Sequence, residues 1–511
     1  MNFIVCEARQ RRSKKKDRAE DPRRKTDRRD RKRLSPTPHT HTHSMKLRGL
    51  FTASAGLLAT IVSAEMELNL LTDYIDTLGS RCLDGTAGAY YIEKSAKAST
   101  KWMVFFEGGG WCYNDKDCAN RAQYALGSSN SYEPTADRMG GVGSADCDVN
   151  PAFCDFNFVY LKYCDGNSFS GAREGTVHVD ETDQDLHFRG HYILQAALTD
   201  VVAKQGMDQV TELVLSGCSA GGLSTFLHSD YVNEYVQTLV KQDFKVRGVA
   251  LLRSNEERSN NSRTGMKAES TTCVKVYCDV TSHSSFCSSY LQYGAIPVSG
   301  FFLMNRQNVH DEFVMASQMS TIFELSNATA GVHQGCISAS APGDGWLCNT
   351  APEALKYIEA PIYPLDSSMD SWQSGCIMTS TSIDYDNTAT RDMPNGQCSS
   401  VPGFEACGGD VQECDSEQIY SVVEYQGSFT RLLTNAYGFR KANSGAFIYP
   451  CFTHCAGQSD SYARFEVGGV VMNEAVRAWW EDVVGVEGAG AKSYLSHIYS
   501  VDNGSNPNNT C

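Results

Sequence analysis

Residues Thr211 to Asp230 read TELVLSGCSAGGLSTFLHSD. Leu213, Val214 and Leu215 form a short apolar run that ends in turn residues, the pattern of a buried strand. Beyond the turn, Leu223, Phe226, Leu227, Tyr231, Tyr235 and Leu239 recur near helical spacing, which predicts a helix from about Gly221. Between the two lies Gly217-Cys218-Ser219-Ala220-Gly221. Five common residues are weak evidence by themselves, and a glycine-rich crossover with a bystander serine is the rival reading. Strand, tight turn and helix is the setting that exposes a nucleophilic serine at a helix N-terminus, where amides and the helix dipole favour negative charge.

A serine hydroxyl needs a base, an orienting acid and an oxyanion hole. Upstream, KWMVFFEGGGWCYN runs from Lys101 to Asn114. Trp102 to Phe106 read as a strand, and three glycines open the next loop. Side-chain-free backbone there can turn its N–H groups inward. The oxyanion donors expected are the amides of Gly110, Trp111 and Ala220. A phosphate-binding loop is disfavoured, because GGGW has neither GxGxxG spacing nor the Walker lysine.

Downstream, APIYPLDSSMDSWQ, Ala360 to Gln373, reads as a strand followed by two acids, Asp366 and Asp370, either of which could orient a base. GAFIYPCFTHC, Gly445 to Cys455, reads as a strand ending in His454, which two cysteines flank. A rigidly held histidine suits a general base. The order Ser, Asp, His is that of the α/β-hydrolase fold. The fold expected is therefore α/β, a doubly wound and mostly parallel sheet with helices on both faces and disulfide-rich loops.

These segments, together with FVYLKYCDGNSFSG and LHFRGHYILQAAL, resemble the pectin acetylesterase family, whose animal relatives are the Notum carboxylesterases. GGGWC, YCDG, GCSAGG, DSWQ and CFTHC occur in the family's order from about Trp102 to His454. The resemblance implies Ser219 as nucleophile, Asp370 rather than Asp366 as the acid, and His454 as base. It also implies acetyl groups on a cell-wall polysaccharide as substrate. Removal of a fatty acyl group from a protein, and a non-catalytic binding role, are the alternatives. Asp165, Arg189 and Glu107 are read as structural or supporting groups. No cofactor and no metal is expected, since no paired CxxC or Cys/His spacing occurs.

The ends of the chain have a different composition. Residues 1–44 are basic and nearly free of apolar side chains, which reads as disorder. Met45 opens MKLRGLFTASAGLLATIVSA, with a basic start, a modest apolar stretch and small residues at its end. This is the pattern of a secretory signal over 45–64. A single catalytic domain is expected over 65–511. If residues 1–44 are translated, a type II membrane anchor is the alternative. Residues 1–64 hold 17 Lys/Arg and 6 Asp/Glu, so removing them takes the formal charge from −15 to about −26. That field disfavours nucleic acid and strongly anionic polymers.

All of the 20 cysteines except Cys6 follow the signal, which reads as disulfides in an oxidising compartment. Asn260, Asn327, Asn503 and Asn508 each begin an N-x-[ST] sequon. A secreted monomer with no stable membrane insertion follows from these features. The resemblance stops inside roughly 250–294, a polar Ser/Asn/Thr-rich stretch expected to be an unstructured insert. Cys273, Cys278 and Cys287 lie within it; without them the cysteines after the signal fall from 19 to 16, an even number.

Overall fold

The computed structural model describes residues 2–7, 65–240, 272–279, 286–288, 291–381, 398, 401–435, 443–484 and 498–500. Their contacts divide them into two units. The smaller takes in Met1–Ser63 and Gly248–Cys287, the larger Ala64–Arg247 and Ser288–Cys511. In the smaller unit Asn2–Glu7 pairs antiparallel with Thr272–Asp279, and Phe286–Ser288 adds a third strand. Both pairing segments are rich in β-branched or apolar residues, NFIVCE and TCVKVYCD, inside stretches read from composition as unstructured. The expected signal at 45–64 and most of the expected insert lie outside the described residues.

The larger unit is built on a ten-stranded sheet. In chain order its strands are β1 (Met66–Leu70), β2 (Ala89–Glu93), β3 (Lys101–Phe106), β4 (Thr135–Ala136) and β5 (Asn157–Leu161). They continue with β6 (Glu212–Cys218), β7 (Gln292–Val298), β8 (Leu365–Ser367), β9 (Ala446–Tyr449) and β10 (Ile498–Ser500). The spatial order is β10-β9-β8-β7-β6-β3-β5-β2-β1-β4. From β5 to β10 every neighbour is parallel, and β2, β1 and β4 extend the far edge antiparallel. Gln292–Gly294 pair with Glu212–Val214, so β7 takes the last three residues of the stretch expected to be insert.

Alternation along the strands builds a core on each face. Trp102, Val104 and Phe106 join one cluster, while Met103 and Phe105 join the other; Leu213 and Leu215 likewise oppose Val214. Strands this apolar on both sides require cover on both sides. Helices α1 (Asp115–Arg121), α2 (Gly190–Gln205), α3 (Ala220–Val240), α4 (Val314–Leu325) and α5 (Ser416–Asn435) send residues into the first cluster. Helix α6 (Met472–Trp479) covers the second with Met472, Val476 and Trp479. No helix among the described residues is long and apolar enough to cross a membrane.

Seven disulfides join described cysteines: Cys82–Cys164, Cys112–Cys118, Cys147–Cys154, Cys218–Cys455, Cys336–Cys348, Cys376–Cys398 and Cys407–Cys414. Most close short loops. Cys218–Cys455 spans 237 residues, and in the chain-entropy account a cross-link closing so long a loop contributes about 5 kcal/mol by constraining the unfolded chain.

Candidate active site

Ser219 stands between the last residue of β6 and the first of α3, with φ at +61°. That left-handed conformation costs a non-glycine residue on the order of 1–3 kcal/mol, and the surrounding backbone enforces it. Ser219 N donates to Val298 O at 3.0 Å, and Leu223 N donates back to Ser219 O at 2.9 Å. The small residues around the serine are required by packing. A Cβ on Gly217 would run into Gly221, and one on Gly221 into the carbonyls of Phe106 and Glu107. A Cβ on Gly222 would meet Val298 O and Gly300, and one on Gly108 would meet Cys218 O. The turn is thus pressed between the ends of β3 and β7, which leaves Ser219 half-buried at the C-terminal edge of the sheet.

His454 and Asp370 meet directly. His454 Nδ1 lies 2.7 Å from Asp370 Oδ2, and the carboxylate is almost wholly buried. Asp370 Oδ1 accepts the amides of Trp372 and Gln373, both at 3.0 Å, capping the short helix Ser371–Gln373. One oxygen is therefore fixed by backbone and the other faces the imidazole. Burial alone would disfavour the imidazolium, but the Asp370 charge and hydrogen bond outweigh it and hold the His454 pKa above 6.5. Nε2 is buried and makes no hydrogen bond among the described residues. The strand before the histidine is shorter than expected. It ends at Tyr449, because Pro450 has no N–H to continue the ladder, so His454 sits in the following loop.

That loop is secured covalently. Cys218, which precedes Ser219, is bonded to Cys455, which follows His454, with Cα atoms 5.9 Å apart. A His454 ring nitrogen lies within 4.8 Å of Cys218 Sγ. Because the two sulfurs are joined to each other, this Cys/His/Cys group offers no thiolate to a metal. Cys455 N also donates to Ser299 Oγ at 3.0 Å.

Asp366, the other candidate acid, does not reach the histidine. Its Oδ1 accepts Phe301 N at 3.2 Å, and Oδ2 is buried without a partner among the described residues. Burial first, and the nearby Asp370 charge second, push its pKa up to about 8. Gln373 continues the same clamp. Its Oε1 accepts from Leu303 N at 3.0 Å and from Tyr425 Oη at 2.8 Å. The loop so held presents Phe302, which the sequence reading passed over in SGFFLMN. Phe302, Trp111 and Trp372 stack edge to face, with ring centres 5.2–5.7 Å apart. Phe302 and Trp372 each lie 6.3 Å from the His454 ring. Trp372 within DSWQ and Phe302 within SGFFLMN were the available signal.

The glycine loop follows β3. Gly109 and Gly110 have φ of +137° and +65°, and nothing lies within 4 Å of a Cβ built on Gly110. Neither Gly110 N nor Trp111 N donates to another group among the described residues. Ala220, as the first residue of α3, has no intrahelical acceptor for its N–H. Glu107 accepts Tyr163 N at 2.8 Å and pairs with Lys162, and Arg189 donates to the carbonyls of Leu78, Gly79 and Arg173. Both hold loops, as their settings in the sequence implied.

A family model described as pectinacetylesterase matches residues 60–250 and 270–510. The chain belongs to the pectinacetylesterase family. The match covers the elbow, the glycine loop, Asp370 and His454, and passes over 251–269. Pectin acetylesterase 4 of Arabidopsis thaliana is 26% identical over 84% of this chain and 91% of its own length. Pectin acetylesterase 5 of the same plant is 27% identical over 74% and 70%. The palmitoleoyl-protein carboxylesterase notum1a of Danio rerio is 31% identical over 36% of each chain. A crystal structure of the Wnt deacylase Notum from Drosophila superposes with a TM-score of 0.57 at 18% identity, covering 83% of this chain and 95% of that one. Membership in the pectinacetylesterase family makes the chain an ester-hydrolysing enzyme with an α/β-hydrolase-like fold.

Proposed function

We propose that this pectinacetylesterase family member is a secreted serine esterase that removes acetyl groups from an uncharged stretch of cell-wall polysaccharide. The observation that carries the reading is the Asp370–His454 pair, tied by a disulfide to the turn that presents Ser219. His454 Nε2, free of other partners among the described residues, takes the Ser219 Oγ proton as the oxygen attacks the ester carbonyl. Asp370 fixes Nδ1 as the protonated nitrogen and stabilises the imidazolium. The amides of Gly110, Trp111 and Ala220 hold the tetrahedral oxyanion. His454 then passes its proton to the departing sugar hydroxyl, leaving an acyl-serine. Water attacks that ester with His454 again as base, releasing acetate and restoring Ser219. No cofactor takes part in these steps.

The acetyl reading rests on the three rings beside His454. Trp111 and Phe302 are buried and Trp372 half-buried, and we take these rings to close the acyl side of the site, in keeping with the likeness to the Arabidopsis pectin acetylesterases. An open apolar pocket would gain about 0.8 kcal/mol for each further CH₂ of the acyl chain, whereas a closed one converts each into a clash. Nitrophenyl acetate should be hydrolysed faster than the butyrate and the octanoate hardly at all. Trp372→Ala should raise the butyrate-to-acetate ratio of kcat/KM. Rising kcat/KM from acetate to octanoate in the unaltered enzyme would instead favour removal of a fatty acyl group. Ser219→Ala should abolish hydrolysis of every ester while the protein still folds; surviving turnover would remove the serine mechanism altogether. The seven disulfides and the four sequons support export through an oxidising compartment.

A further inference from the structure

The segment YCDGNSFSG, Tyr163 to Gly171, follows β5 and has no part in the chemistry above. It is nevertheless tightly constrained. Ser168 and Phe169 both adopt left-handed φ, +48° and +59°, and both are fully buried. Strain of this kind persists only where neighbouring bonds over-determine it. For Ser168 those bonds lead to both sides of the oxyanion hole.

Ser168 Oγ accepts the indole N–H of Trp111 at 2.7 Å and donates to Ala220 O at 2.9 Å. Its backbone N–H donates to Tyr163 Oη at 3.0 Å, and that hydroxyl donates to Gly110 O at 2.8 Å. Its carbonyl lies 2.9 Å from Nε2 of His228, which burial keeps neutral by pushing its pKa down to about 3. The serine hydroxyl has one proton and two lone pairs, so an indole donor and a carbonyl acceptor suit it.

The Gly110 bond has a directional effect. Gly110 C=O and Trp111 N–H belong to one planar trans peptide, in which the two groups point opposite ways. When Tyr163 Oη grips the carbonyl, the Trp111 N–H is aimed away from Tyr163. The bond from Ser168 to Ala220 O meanwhile fixes the first turn of α3, on which the third donor sits. We propose that Ser168 and Tyr163 are positioning residues that hold the glycine-loop arm and the elbow arm of the oxyanion hole in one register. This rests on the oxyanion assignment in the proposed function.

The effect belongs to the transition state, since the donors are worth most when charge has developed on the oxygen. Ser168→Ala and Tyr163→Phe should each lower kcat on nitrophenyl acetate by about 10–100-fold, somewhat less than losing a donor outright, with KM changed by no more than about two-fold. Rates are taken per active site titrated by the acyl burst. Affinity for a trifluoromethyl ketone, whose serine adduct carries the same oxyanion, should fall by the same factor. The double variant should cost less than the product of the singles, because both act on one network. A purely structural role would lower the titrated fraction and the Tm but leave kcat per site and ketone affinity untouched, and that result would overturn the inference. If Ser168→Ala does not fold, Tyr163→Phe decides by the same readouts. Loss of activity in Ser219→Ala alongside unaltered Ser168→Ala and Tyr163→Phe would sink this inference alone; an active Ser219→Ala would sink the serine mechanism beneath it.

Discussion

Asp366 and Asp370 stand four residues apart, yet their surroundings give them different chemistry. Asp370 accepts two amides through one oxygen and faces the imidazole with the other, so both of its oxygens are partnered. Asp366 is reached by the Phe301 and Gly300 amides, but burial outweighs them and favours the protonated acid. Asp370→Asn should therefore cut kcat by several orders of magnitude by allowing the wrong imidazole tautomer, whereas Asp366→Asn should keep kcat within a few fold. The opposite ranking in a kinetic comparison would move the orienting role to Asp366. The pH profile follows from the same contacts. In the proposed mechanism His454 must be neutral to accept a proton, and Asp370 holds its pKa above 6.5. Activity should thus be lost as pH falls through a midpoint above 6.5, read as the acid limb of kcat/KM. A midpoint below 6.5 would contradict the pairing.

At the scale of elements, the elbow was the most legible part of the sequence and the loops around it the least. An apolar triplet, a run of small residues and a helical stripe placed β6, Ser219 and α3 to within a residue or two. Local steric need writes such patterns directly into the chain. The choice between two aspartates was not written locally, because it depends on which carboxylate a loop 84 residues away approaches. The aromatic trio and the Ser168 network were hidden for the same reason, since their members come from three or four separate segments. A direct test of the elbow packing is Gly221→Ala. The new methyl would press on the Phe106 and Glu107 carbonyls, which are fixed in and just beyond β3. Overpacking of this sort costs about 1–3 kcal/mol, so Tm should fall and turnover per titrated site should drop. Thermal melts and burst titration that match the unaltered enzyme would show that the turn is not pressed against β3.

For the molecule as a whole, charge bears on substrate choice. Without residues 1–64 the formal charge is about −26, and a surface of that sign repels polygalacturonate. Added salt screens such repulsion over a Debye length of about 10 Å at 0.1 M. Raising ionic strength should increase kcat/KM on acetylated pectin with free carboxylates and leave an acetylated neutral xylan unaffected. A salt response of the same size on both polymers would remove charge from the account of specificity.

The Cys218–Cys455 bond joins the residue before Ser219 to the residue after His454. The two halves of the proposed reaction machinery therefore come from opposite ends of a 237-residue span and are stapled at their meeting point. A freshly made chain with free thiols has both halves but no covalent hold on their spacing. With both thiols free, turnover should therefore be lower than in the bonded form. A Cys218→Ser/Cys455→Ser variant with every other disulfide intact should fold and bind substrate with a near-normal KM, while kcat falls at least about tenfold from misplacement of the base. Full kcat in that variant would show that the surrounding packing holds the two halves together without the bond.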